Sequence, residues 1–214
     1  RMSRTLEICA PLMTVFTPQA PPPVSHSPLW AALLKRFYDQ TGQPPPELAR
    51  LQSAEIPQPY RGLLVHSHDM TGTLERFYGQ PVGLTVLGRQ TKSDTYLREV
   101  VLHIADDAQR VEYGVIQIYL DHFPPEARRR VLAEESPLGS ILHSEGIGYL
   151  SWPQAFFSAQ SDAHISTVLR LRQPCQLYGR RNVLLDGSRR LLAEVIEVLA
   201  PVENHPPLFA DPLL

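Results

Sequence analysis

An arginine set among aliphatic neighbours is the first feature of this sequence that could do chemistry. In the run 96–104, Tyr96, Arg98, Val100, Leu102 and Ile104 fall on one face, because successive side chains of a strand point to opposite sides. A guanidinium buried there needs an anion, since an unpaired buried charge is strongly unfavourable. The last apolar run supplies carboxylates: Leu192, Glu194, Ile196 and Val198 form one face, and Leu191, Val195, Glu197 and Leu199 the other. Arg98 and Glu194 could simply pair. Alternatively, a cavity between sheet and helices could use Arg98 for a ligand carboxylate, gripped bidentately, and Glu194 for a hydroxyl.

Other polar groups carry weaker signals. His66 and His68 alternate and could ligate a metal from a strand, yet no third ligand is placed by spacing, and surface or capping roles are expected. Arg180 and Arg181 could hold a carboxylate, but alternation sends them to opposite faces. Arg128, Arg129 and Arg130 read as the wet side of a helix. Walker, dinucleotide-glycine and nucleophile-elbow patterns are absent, so phosphate and nicotinamide chemistry lack their usual supports.

The elements that would position these residues begin after a proline-rich stretch. Of 21 prolines, 11 fall between Pro11 and Pro59, in clusters that favour extended chain. Residues 1–62 therefore read as a peripheral arm with one short docking helix, opened by Ser27-Pro28 and carrying Leu29, Leu33 and Phe37 at helical spacing. Residues 63–201 read as the domain proper and 202–214 as a tail. Asp69 should cap a helix ending at Gly79, followed by strands over 82–89, 96–104 and 111–120. Helices at 124–134 and 137–143 form an insertion that could act as a flap, before strands at 165–172, 177–185 and 190–199. The expected fold is α+β: an antiparallel sheet of about six strands with helical flaps over an internal ligand cavity.

Composition narrows the partners. The 214 residues suit one domain with a core of its own. A net charge of −2 with 20% charged residues argues against nucleic acid and anionic membranes. Cys9 and Cys175 alone build neither a disulfide framework nor a cysteine zinc site, which fits a reducing cytoplasm. No run approaches the roughly 18 apolar residues of a membrane-spanning helix. A small molecule is the expected partner, bound by a monomer or homodimer.

Several motifs, taken together, resemble the chorismate lyases. They are Tyr96-Leu97-Arg98-Glu99-Val100-Val101-Leu102, Ser136-Pro137-Leu138-Gly139, Tyr178-Gly179-Arg180-Arg181, and Asp186-Gly187 followed by Leu191-Leu192-Ala193-Glu194. The likeness begins near Asp69-Met70-Thr71 and ends near Pro201. It implies conversion of chorismate to 4-hydroxybenzoate and pyruvate by a carbon–oxygen lyase that needs no cofactor, within quinone or aromatic secondary-metabolite biosynthesis. It also implies that Arg98 binds the ring carboxylate, that Glu194 meets the ring hydroxyl, and that Met70, Leu138 and Gly139 line the pocket. Where the best-known branch carries Gly-Arg-Thr, this chain reads Gly114-Val115-Ile116. Either Arg180 or Arg181 then replaces the missing arginine, or the substrate is another carboxylated ring. A module that binds a small aromatic acid without turnover is the alternative from a different class, because such a site would look almost identical in sequence.

Overall fold

A computed structural model describes residues 29–104, 107 and 109–202. The arm and tail sequences outside these ranges, with Cys9 and Ser27-Pro28, lie outside the described residues. The chain runs α1 (Leu29–Thr41), β1 (Ala49–Leu51), α2 (Tyr60–Leu64), α3 (Met70–Tyr78), β2 (Gly83–Lys92), β3 (Thr95–Ile104), β4 (Gln109–Tyr119), α4 (Pro125–Ala133), α5 (Leu138–Ser144), β5 (Tyr149–Gln160), α6 (Ala163–Val168), β6 (Gln176–Asp186) and β7 (Leu191–Leu199). All seven strands join one sheet in the order β1-β5-β6-β7-β4-β3-β2, and every pairing is antiparallel. The α+β class expected from the sequence is the class observed.

Two antiparallel meanders, with the short β1 added at the β5 edge, make up this sheet. Helix α3 leads into β2-β3-β4 and α5 leads into β5-β6-β7, and the meanders meet where β4 pairs with β7. One face is covered by α1 and α6, with Leu34, Phe37 and Tyr38 packed on Leu97, Tyr113 and Ile196. The opposite face is covered at one end by α2 and α3, through Leu63, Leu74 and Phe77, and at the other by α4 and α5, through Val131, Ile141 and Leu142. Both faces of the central strands are therefore buried, so β3 and β4 read as near-continuous hydrophobic runs.

Local signals account for the helices that frame the cavity. Asp69 caps α3 by accepting from the Gly72 amide at 2.7 Å, and Gly79 ends it with a left-handed φ of 66°. Pro137 precedes α5 in extended conformation, and its carbonyl accepts from Ile141. Gly139 is required by contact: a Cβ there would stand 2.8 Å from Asp69 Oδ1 and 3.1 Å from Thr71 Oγ1, so only glycine lets the two helix starts meet.

Two expectations are corrected. Residues 165–172 are not a strand: α6 starts at Ala163, capped by Asp162 through the Ile165 amide, and buries Ile165 and Val168 at helical spacing. The twelve-residue β5 was not expected at all, because Trp152-Pro153 interrupts its pattern; the proline sits at a register shift against β6, where a missing N–H is tolerated.

Candidate functional site

Between the α2/α3 cover and the α4/α5 cover a cavity opens on the sheet. Its floor is Arg98, Val100 and Leu102 of β3, Glu112, Gly114 and Ile116 of β4, Asn182 and Leu184 of β6, and Val195 and Glu197 of β7. Its roof is Asp69, Met70 and Thr71 at the start of α3 and Pro137, Leu138 and Gly139 at the start of α5. The structure thus brings together Arg98, Met70, Leu138 and Gly139.

Arg98 is 1% exposed, and its Nε and Nη1 have no hydrogen-bond partner. Among the described residues no ion pair includes it. Burial, the largest influence, pulls its guanidinium below the ordinary value, yet an arginine in a protein stays charged. The nearby Glu134 is already held by Arg89 and by the Tyr96 hydroxyl. The floor therefore presents a desolvated cation with two uncommitted nitrogens.

Two of the three cavity carboxyls, Asp69 and Glu197, are by contrast committed, whereas Glu112 has a buried Oε2 with no hydrogen-bond partner. Asp69 accepts from the Gly72 amide and, at 3.0 Å, from the Tyr149 hydroxyl. Glu197 pairs with the fully buried Arg180, whose remaining N–H groups donate to the carbonyls of Leu64, His66 and His68. Burial, joined by the Glu197 charge, holds the Glu112 carboxyl well above the usual range. Burial pushes Glu197 up too, and the Arg180 guanidinium offsets this only in part, so of the two Glu112 is held further toward its neutral form.

Other sequence candidates stand elsewhere. Glu194 does not share a face with Arg98, a correction to the expected constellation. It lies on the α1/α6 side, taking hydrogen bonds at 3.1 Å from Arg181 Nη2 and at 3.1 Å from the Tyr119 hydroxyl. Arg181 is on that side with it, and Arg180, although on the cavity side, is spent on Glu197 and carbonyls, so neither arginine supplies a free second cation. His66 donates through Nε2 to the Leu63 carbonyl at 2.7 Å, while its Nδ1 faces the His68 amide and Arg180. Burial and Arg180 lower its pKa to about 4. Among the described residues no three His, Cys, Asp or Glu stand together as a metal site, and no helix is long and apolar enough to cross a membrane. Two floor residues, Glu112 and Asn182, were missed. The same alternation that exposes Arg98 places Asn182 between Arg180 and Leu184 on β6, but a search for ionisable groups passes over an amide.

Comparisons with known proteins add the following. No family model and no curated protein matches the chain. Among solved structures, PhnF from Mycobacterium smegmatis is 15% identical, with 79% of this chain and 93% of that one covered and a TM-score of 0.48. The effector domain of PhnF from the same organism is 15% identical over 64% and 96% of the chains, with a TM-score of 0.46. A GntR-family transcriptional regulator from Bacillus cereus is 13% identical over 58% and 96%, with a TM-score of 0.42. These comparisons correct the expectation of a chorismate lyase. Neither comparison returns that family, and the similar structures whose names state a role are named as transcriptional regulators. The chorismate-to-4-hydroxybenzoate reaction, pyruvate release, the lyase class and a place in quinone or aromatic secondary-metabolite biosynthesis fall with it. Likenesses this distant identify no function, which has to be argued from the cavity itself.

Proposed function

We propose that this chain is a binding module for a small aromatic carboxylic acid, which it holds beneath α3 and α5 without turning it over. The observation that carries the reading is Arg98: a cation 1% exposed, with Nε and Nη1 unpartnered, on the floor of a cavity. A carboxylate accepts two parallel N–H bonds from such a fork and supplies the missing charge. Aliphatic groups at Val100, Ile116, Leu138, Leu184 and Val195 make the remaining walls apolar, as a ring requires. Fixed partners on two of the three cavity carboxyls, Asp69 and Glu197, support binding without turnover; burial favours the neutral form of the third, Glu112.

Calorimetric titration with benzoate tests the reading. The parent chain should bind, and Arg98→Ala should bind about 10- to 100-fold more weakly, the usual value of a charge-assisted contact. Arg98→Lys should recover part of the loss, since it restores the charge but not the fork. The recovered acid should be chemically unchanged by mass spectrometry. Equal binding by Arg98→Ala, or a converted ligand, would refute the proposal.

A further inference from the structure

Across the cavity floor, four residues stand in one row perpendicular to the strands. Arg98 of β3 is opposite Ile116 of β4, Ile116 is opposite Val195 of β7, and Val195 is opposite Asn182 of β6. All four line the cavity. Three strand spacings separate the ends, about 14 Å between Cα atoms. The row is a cation, two aliphatic plates and an amide.

The amide has a fixed orientation. Ser151 has one hydroxyl proton, and it goes to the His68 carbonyl at 3.0 Å. Ser151 Oγ can therefore only accept from Asn182, which turns its Nδ2 toward it at 2.9 Å. This leaves Asn182 Oδ1 facing away from Ser151, with no partner, on a side chain 1% exposed. A buried carbonyl oxygen is an acceptor at every pH, and its missing partner is a donor. Glu112 does not reach it. Glu112 is opposite Leu199 and Asn182 opposite Val195 on the same strand, four residues or about 13 Å apart.

We infer that the ligand lies across the strands, its carboxylate on Arg98, its ring over Ile116 and Val195, and a hydrogen-bond-donating group at the far end of the ring on Asn182 Oδ1. This rests on the acid-binding reading above and narrows it to acids that carry a hydroxyl or an amine opposite the carboxylate. Asn182 then sets specificity: it rewards a donor and leaves an acid without one to strand the amide oxygen.

A series on the full chain tests this without relying on a variant: benzoate, 4-hydroxybenzoate, 4-aminobenzoate and 4-methoxybenzoate, titrated calorimetrically. The hydroxy and amino acids should bind about 5- to 10-fold tighter than benzoate, and the methoxy acid, which has an oxygen but no proton to give, no tighter than benzoate. In Asn182→Leu the ratio of donor-acid to benzoate affinity should fall to about one, whatever the change in benzoate binding itself; a ratio that survives the substitution would overturn the placement. If benzoate binds and the donors gain nothing, or the methoxy acid gains as much as the hydroxy acid, the placement on Asn182 is wrong while the acid-binding reading stands. If no acid binds, both are wrong.

Discussion

At the residue scale, Arg98 is a group whose value to the ligand is a cost to the empty protein. Its guanidinium is desolvated and lacks an ion-pair partner among the described residues, and an uncompensated buried charge works against folding. Arg98→Met keeps most of the apolar stem and removes the charge. It should therefore raise the unfolding free energy of the ligand-free chain, by about 1–4 kcal/mol on the scale seen when buried charges are replaced by apolar groups, while weakening acid binding about as much as Arg98→Ala does. Urea denaturation of the two proteins without ligand gives the comparison. A less stable Arg98→Met would mean that the guanidinium is satisfied in the empty cavity, and the argument for a missing anion would lose its footing. This residue was legible in the sequence because strand alternation is local. Its partner was not: alternation sorts β7 into two sets, one with Glu194 and one with Glu197, but which set shares a face with Arg98 depends on pairing across strands. Ile116, opposite Arg98, faces Val195, and this puts Glu197 in the cavity and Glu194 beneath α1.

At the element scale, strands and helices with local signals were readable, and those governed by context were not. Helix α3 carries its own cap and stop, Asp69 and Gly79, and β3, β4, β6 and β7 carry largely apolar runs unbroken by proline. Strand β5 contains a proline that only its bulge makes tolerable, and β1 is three residues long, so neither shows in a single sequence. The contact of α1 and α6 with the sheet is likewise invisible before folding. Here the Tyr38 hydroxyl of α1 donates to Asp162 at 2.6 Å, and Glu99 of β3 takes both the Tyr113 hydroxyl at 2.7 Å and His164 Nε2 of α6 at 2.6 Å. The bond to Glu99, with the charges of Glu99 and Asp162, raises the His164 pKa against the opposing effect of burial. A raised pKa means the protonated ring is favoured in the folded chain. Its stabilisation is fully present below the unfolded value of about 6.5 and is lost as pH rises through the higher folded value. The difference in urea midpoint between the parent and His164→Gln should accordingly be largest below about pH 6.5 and shrink as pH rises above it. A difference that stays flat as pH rises would show that the neutral imidazole makes the contact equally well.

For the whole molecule, the arrangement separates a binding face from a structural one. The cavity lies under the starts of α3 and α5, which touch through Gly139, Asp69 and Thr71, whereas α1 and α6 seal the opposite face with a continuous apolar cluster. A ligand on Arg98 binds only the folded chain. At a hundredfold excess over its Kd it should stabilise that chain by about 2.7 kcal/mol against global unfolding. Amides that exchange by local opening should respond according to where the ligand sits. Those at 70–72 and 138–140 should slow when a bound acid bridges the floor to the two helix starts. Those of α1 and α6 that open locally should not change, because the sheet lies between them and the ligand. Hydrogen exchange followed by mass spectrometry with and without 4-hydroxybenzoate gives both readings in one experiment. Slowing confined to α1 and α6 would move the ligand to the Glu194–Arg181 side of the sheet. Slowing only of globally exchanging amides would leave the ligand bound without engaging the helix starts, and the roof of the cavity would then be a passive cover.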